Sequence, residues 1–312
     1  MGIGIDEWRL VRYDKIVKSF GLKHPGALRR YGGDQMKFTK MHGISNDYVY
    51  VNCLEAAVPD PVRTARIVSD RRCGIGSDGL ILICPSEVAD FKMEIYNADG
   101  SQAEMCGNGI RCVGKYVYDR HLTDRTTITV ETLAGVKTLE LDVQNGVVER
   151  VTVDMGEPVL QPSRIPVLAE GDRFVDMPVE VAGKEYHITC VSMGNPHAVV
   201  FLPEIDTLDL EKIGPAFENH ALFPKRINTE FIRVIDAHTL QMRVWERGAG
   251  ETWACGTGAT ASLVAAVLNG LTGRQAELRL RGGNLNIRWD EATNHVFMTG
   301  PAAFVFDGEI EL

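Results

Sequence analysis

Residues 95–109 read I-Y-N-A-D-G-S-Q-A-E-M-C-G-N-G, and residues 244–258 read V-W-E-R-G-A-G-E-T-W-A-C-G-T-G. Each opens as an apolar-aromatic strand end closed by a polar residue, Asn97 in one and Glu246 in the other. Nine residues on, each reaches a cysteine leading into G-x-G, Cys106 or Cys255, followed by a run of helical character. The cysteines are 149 residues apart (106 to 255), and the same offset relates Asn46 to Asn195 and Gly79 to Asn228. Three pairs of landmarks at one spacing mark an internal repeat. The chain therefore reads as two halves of one architecture, each presenting a cysteine at a helix start.

Outward from these stretches, the alternation beginning at Met36 and Phe38 predicts a strand, with a second at Tyr48 to Asn52. Asp60 before Pro61 is an N-cap and N1 pair that opens a helix to about Arg71. Gly74, Gly76 and Gly79 turn the chain into a strand over 80–84, and 91–96 is another. After Cys106 a helix to about Asp119 turns Ile110, Val113 and Val117 inward. Residues 126–153 hold three strand-like runs, the last two joined by the type I′ signal Asn145, Gly146. In the second half, strands are expected over 158–201, and a helix over 208–219 that Gly214 and Pro215 should kink or restart. The helix after Cys255 is small or apolar all round and stops at Asn269 and Gly270, which marks it as buried. A sheet wrapped around a central helix is the architecture this implies, with a last strand over 299–306 crossing back to the first half. The fold class is thus α/β in the α+β sense. The division is an N-terminal extension over 1–35, a first half over 36–150 joined by the last strand at about 301–312, and a second half over 151–300.

Bulk properties narrow the function. A length of 312 residues fits two domains, and 45% hydrophobic with 24% charged residues is ordinary for a globular protein. A formal charge of −9 with no interleaved basic and aromatic stripe argues against a nucleic-acid partner. No apolar run approaches the ~18 residues of a membrane span, and without a signal-peptide core a cytoplasmic location is expected. Residues 1–35 hold seven Lys/Arg against four Asp/Glu, with a candidate helix after Asp6, and Met36 reads as the natural start of the repeat. Seven cysteines include no C-x-x-C and no zinc spacing, so no metal is expected. Cys53, Cys84 and Cys190 read as buried small hydrophobes, and Cys73 and Cys112 as structural.

That leaves Cys106 and Cys255. Glycines after each let backbone approach a ligand closely, and helix N-terminal N–H groups suit an anion such as a carboxylate. The same positive end is expected to lower the thiol pKa from ~8.5 into the ~3.5–7.5 range. A thiolate from one half facing a thiol from the other would remove a proton from one face of a carbon and deliver one to the opposite face. Arg247 beside Glu246 offers a carboxylate clamp next to an acid able to hold an ammonium, or else a surface ion pair. Asn46, Asn97, Asn195 and Asn228 lie at loop or strand ends, where asparagine also serves turns. His197 is either a tuner of a neighbouring thiol or a satisfied structural histidine.

The motifs M-H-G-x-x-N-D-Y, G-x-G-S-D-G, Y-N-A-D-G-S-x-x-x-M-C-G-N-G-I-R-C, G-N-P-H, R-I-N-T-E-F and E-R-G-A-G-E-T-x-A-C-G-T-G together resemble those of the diaminopimelate epimerases over about 36–312. The resemblance implies a pyridoxal-independent, cofactor-free isomerase interconverting LL- and meso-diaminopimelate in lysine and peptidoglycan precursor synthesis. It implies two pseudosymmetric domains closing over the substrate, in a homodimer. Cys106 and Cys255 become the acid/base pair, with Cys255 the proton acceptor for the LL isomer and Cys106 the donor. Gly107, Asn108, Gly256 and Thr257 would hold the carboxylate at the reacting carbon. Asn46, Asn97, Asn195, Asn228, Glu246 and Arg247 would contact substrate, with His197 and Glu246 tuning the thiols. Gly79 stands where some members carry glutamine, and Ser45 where glycine is frequent. Two rivals are a proline or hydroxyproline racemase-like enzyme, which also pairs two cysteines, and a non-catalytic thiol scaffold.

Overall fold

The computed structural model describes residues 35–312, so the helix expected after Asp6 lies outside the described residues. The chain runs β1 (Met36–Gly43), β2 (Asn46–Asn52), α1 (Pro61–Ser69), β3 (Gly79–Cys84), β4 (Phe91–Asn97), β5 (Gln102–Ala103), α2 (Gly107–Asp119), β6 (Thr127–Thr132), β7 (Gly135–Gln144) and β8 (Val147–Asp154). After β9 (Met177–Val181) the series repeats. It runs β10 (Lys184–Ser192), β11 (Pro196–Phe201), α3 (Leu210–Glu218), β12 (Asn228–Asp236), β13 (Thr239–Glu246), β14 (Gly250–Thr252), α4 (Gly256–Leu268), β15 (Gln275–Leu280), β16 (Gly283–Trp289) and β17 (Val296–Gly300). The last strand is β18 (Ala303–Ile310).

Pairing follows the same rule twice. β1 and β2 are antiparallel, β2 and β3 parallel, β3 and β4 antiparallel, β4 and β6 parallel, and β6 to β8 an antiparallel meander. β10 to β17 repeat these relations step for step. β8 and β17 join the halves edge to edge. The strand following each series pairs with the first strand of the other, β9 with β10 and β18 with β1, in one 18-stranded sheet. The fold is mixed α/β, mostly antiparallel, with few helices.

The local reasons are legible. Asp60 caps α1 by accepting from the Arg63 N–H at 2.9 Å, with Pro61 at the first helical position. Asn145 and Gly146 take φ of 52° and 80°, the left-handed pair a two-residue hairpin needs. Ile110, Val113 and Val117 of α2 are fully buried against β8, β7, β1 and β2. α4 buries nearly every residue from Gly256 to Ala266 within β10 to β12 and β15 to β17.

Four expectations need correction. Residues 158–176 are not strand beyond one bridge at Val159, because Pro158, Pro162 and Pro166 remove the donors a ladder requires. Gly214 and Pro215 do not interrupt α3, which continues through Pro215 as one helix. Gly214 is instead a packing requirement, since a Cβ there would lie 2.2 Å from the Trp245 ring. The last strand over 299–306 is two strands, with Pro301 between β17 and β18. Of the cysteines taken as buried or structural, Cys73 is exposed and Cys84 only partly buried.

Cys112, fully buried on α2, gives the fold a pH dependence. Burial pushes its thiol from 9.0 up to about 11, against a hydrogen bond from Tyr50 and the charge of Arg111. The folded state therefore holds this proton more tightly than the unfolded chain. The stability it contributes is complete below about pH 9 and is lost as pH climbs through about 11, roughly 3 kcal/mol in all. Urea midpoints at pH 8 and above pH 10 should differ accordingly, and Cys112→Ala should remove that part of the difference.

Candidate active site

The two buried helices meet end to end between the halves. A Cβ on Gly256 would lie 3.7 Å from the Gly107 Cα and 2.9 Å from the Met298 Sδ, and one on Gly107 would lie 2.8 Å from the Met298 Cε. A side chain at either glycine would force Met298 to move. Met298, fully buried on β17, packs beneath both helix starts. Asn108 spans the seam, its Nδ2 donating to the Ala254 carbonyl at 3.3 Å, while its buried Oδ1 has no partner among the described residues. First-turn N–H groups from two helices thus converge on one place, a setting for a carboxylate.

Cys106 is the N-cap of α2. Its Sγ accepts from the Gly109 N–H at 3.3 Å and its S–H donates to the Asn46 Oδ1 at 3.2 Å. Asn46 is oriented from behind, where its Nδ2 donates to the Asp78 Oδ2 at 2.7 Å. An aspartate carboxylate only accepts, so the amide carbonyl must face the thiol. Asp78 is held by Arg71 at 2.9 Å, Arg71 also holds Asp47 at 2.8 Å, and Asp47 pairs with the buried Lys40 at 2.5 Å.

Cys255 caps α4 without a side-chain cap bond, and its Sγ lies 3.6 Å from the Thr257 Oγ1. Asn195 donates to that hydroxyl at 3.3 Å, and its Oδ1 faces the His197 Nε2 at 2.9 Å. The other ring nitrogen of His197 meets the Glu230 Oε1 at 2.7 Å, both residues fully buried. Glu246 accepts from the Thr252 hydroxyl and lies within hydrogen-bond reach of Cys255. Asn228 ties the neighbouring strand ends, donating to the Pro196 carbonyl and accepting from the Arg247 N–H, both at 2.9 Å.

The thiols depart from the sequence expectation. Burial raises Cys106 despite the Gly109 N–H, the Tyr48 hydroxyl, the Asn108 N–H and the charge of Arg111. Burial raises Cys255 further, reinforced by the charges of Glu246 and Glu230. Glu246 is itself raised by burial, although Thr252 and Cys255 donate to it. The helix ends are present, but desolvation outweighs them, and both sulfurs rest as S–H at neutral pH.

Cys106, Gly107, Asn108, Asn46, Cys255, Gly256, Thr257, Asn195, His197 and Glu246 therefore gather around one seam. Asn97 ends β4 opposite Gly79, its Nδ2 donating to the Ser101 hydroxyl at 3.0 Å. Arg247 is exposed on the turn after β13, its Nη1 donating to the Lys225 carbonyl at 3.1 Å. No ion pair joins it to Glu246 among the described residues, so the surface-pair alternative falls away. A Cβ on Gly79 would lie 2.3 Å from the Tyr96 carbonyl, so this position supplies backbone only. Ser45, where glycine is frequent, takes φ of 71° all the same. Residue-by-residue reading missed Asp78, Glu230 and Thr252. An acid in the apolar run Thr229, Glu230, Phe231, Ile232 was the available signal for Glu230. Among the described residues no group of three His, Cys, Asp or Glu could hold a metal, and no helix is long and apolar enough to cross a membrane.

The family model described as diaminopimelate epimerase matches residues 38–161 and 189–305, which include every residue of this seam. The chain belongs to the diaminopimelate epimerase family. The diaminopimelate epimerase of Acetivibrio thermocellus is 63% identical over 277 residues, covering 89% of this chain and 99% of that protein. That of Methanococcus maripaludis is 57% identical, covering 89% of this chain and 100% of that protein. At this similarity the function is that of a diaminopimelate epimerase, an isomerase of lysine biosynthesis. More distant solved structures share the fold. A Bacillus anthracis phenazine biosynthesis protein of the PhzF family aligns with a TM-score of 0.65 at 16% identity, covering 89% of this chain and 100% of that one. A hydroxyproline epimerase from Agrobacterium vitis aligns at 0.63 and 14%, covering 89% and 93%.

Proposed function

We propose that Cys106 and Cys255 are the two bases of the epimerisation, interconverting LL- and meso-diaminopimelate without pyridoxal phosphate or metal. The observation that carries this reading is the meeting of two cysteine-capped helices at Gly107 and Gly256. The substrate α-carboxylate docks on the N–H groups of Gly107, Asn108, Gly256 and Thr257, which fixes the α-carbon between the sulfurs. One sulfur, as thiolate, takes the α-hydrogen, and the electron pair left on carbon delocalises toward the docked carboxylate. The opposite S–H then delivers its proton to the other face. Each turnover therefore leaves the two sulfurs with their protonation exchanged. For the LL isomer Cys255 accepts and Cys106 donates. Glu246 meets the α-ammonium, whose positive charge offsets the carboxylates that hold Cys255 as a thiol. His197 tunes Cys255 through Asn195 and Thr257. Asn46, Asn97, Asn195, Asn228 and Arg247 contact the rest of the substrate.

Residues 36–150 with 301–312, and 151–300, act as two domains that close on the substrate, in a cytoplasmic homodimer. The paired thiols are tested by incubating LL-diaminopimelate with the protein in deuterated solvent. Label must enter the α-carbon, and an α-carbon that stays protonated ends the reading. Arg247→Lys tests the clamp. The planar fork gives way to a point charge, and loss of one charge-assisted hydrogen bond of roughly 1.5–3 kcal/mol predicts a fall in kcat/KM of about 10- to 100-fold. Unchanged kinetics would make Arg247 a bystander.

A further inference from the structure

Arg111 is the largest fully buried side chain among the described residues, none of which gives it a carboxylate partner. It lies one helical turn beyond Gly107 on α2. Long helical side chains point back toward the N-terminus, and this one folds onto the helix start. Its Nη1 donates to the Gly107 carbonyl at 3.1 Å and approaches the Met298 Sδ at 3.7 Å, and its Nε donates to the Pro301 carbonyl at 3.2 Å. The Nη2, fully enclosed, has no hydrogen-bond partner among the described residues. The space is cut closely, since a Cβ on Gly43 would come within 3.0 Å of that Nη2 and one on Gly300 within 3.1 Å of the Nε. The ionisable groups it senses are Cys112, Cys106 and Tyr50, all neutral at rest.

A buried cation without a counter-ion is costly, and an apolar side chain of similar volume would serve packing better. The second half shows that the architecture does not require it. The position 149 residues on is Thr260, which only donates to the Thr257 carbonyl at 2.7 Å. The charge is therefore one-sided, placed behind the helix start that carries Cys106.

We infer that Arg111 is the fixed counter-charge for the negative charge that forms at this helix start, on the Cys106 sulfur and the substrate α-carboxylate. It acts through the Gly107 turn without touching substrate, and is a positioning residue. The inference rests on Cys106 being one of the two bases. The groups facing that sulfur are the Asn46 amide and Tyr48 hydroxyl from β2, the Gly109 and Asn108 N–H groups and Arg111 from α2, with Asp78 behind Asn46. Of these only Arg111 and Asp78 carry full charge, and Asp78 is neutralised by Arg71.

The experiment compares Arg111→Met, Arg111→Gln and Arg111→Lys. Glutamine retains donors toward the carbonyls but no charge, and lysine retains charge. The Met and Gln variants should lose about 10- to 100-fold in kcat/KM, the range expected for a unit charge near the reacting centre at an effective dielectric of ~20. Their melting temperatures should be equal to or above the parent's. The pH midpoint for iodoacetamide alkylation of Cys106, resolved by mass spectrometry, should rise while that of Cys255 stays. Lys should recover most of the rate. If Met is too unstable to purify, the Gln and Lys pair decides alone. Gln as active as Lys, or an unmoved Cys106 midpoint, overturns the inference and leaves Arg111 a strut between α2 and Pro301. An active Cys106→Ala would instead remove the two-base reading beneath it, so the two failures are distinguishable.

Discussion

Alanine in place of either Cys106 or Cys255 is expected to lower epimerisation by about 10²–10⁴-fold, the usual worth of one positioned acid or base. The loss should be equal in both directions, because each isomer needs one sulfur to abstract and the other to deliver. The structure makes the test clean. Both cysteines are N-caps whose backbone geometry is set by the helix, and Cys255 makes no side-chain cap bond at all. Truncation to alanine therefore removes chemistry with little cost to α4, and at α2 it forfeits the Sγ contacts to the Gly109 N–H and the Asn46 Oδ1. The measurement is isotopic. In deuterated solvent the product isomer should acquire α-deuterium well before the recovered substrate, since the proton delivered comes from a different sulfur. Near-normal turnover in either alanine variant, or label entering both pools together, would sink the two-thiol reading.

The second large effect is structural and acts at Glu218. This buried carboxylate at the end of α3 accepts from the Trp245 Nε1 at 2.8 Å, the Gly248 N–H at 2.9 Å and Arg226 at 2.7 Å. It thereby anchors both the end of β13, which carries Glu246, and the turn that carries Arg247. Glu218→Ala strands the indole and amide donors beneath α3. Two charge-assisted bonds at roughly 1.5–3 kcal/mol each predict a loss of about 3–6 kcal/mol, with Arg226 contributing little because it is half exposed. Denaturant titration gives the stability term, and a KM that rises more than kcat falls would report the loosened loop. A stability change under 1 kcal/mol would mean that water replaces the carboxylate without penalty.

What could be read from the residues alone follows the range of the forces involved. The repeat, the caps at Asp60 and Cys106 and the turn at Asn145 are short-range matters of dihedral preference and orphan donors, and each is written locally. The placing of both cysteines at helix starts was legible because glycine beside cysteine restricts what the chain can do there. The helix α3 was harder, since Gly214 answers to Trp245, which approaches it from β13. Glu230 meets His197 only because β11 lies parallel to β12 with His197 opposite Asn228, a register no local pattern encodes. The thiol pKa failed for the same reason. A helix end is visible in the sequence, whereas the burial that outweighs it is a property of the closed sheet.

The pairing of β18 with β1 brings Ile310 opposite Met36 and joins the first and last of the described strands. During synthesis β1 is made long before β18, and the edge that β18 covers stays open until that strand follows. Contacts of such separation are slow to form, and a nascent chain with an open strand edge is vulnerable to association with its neighbours. Completion of the first half thus waits until the whole second half has been made, and a chain released before β18 lacks the strand that closes it.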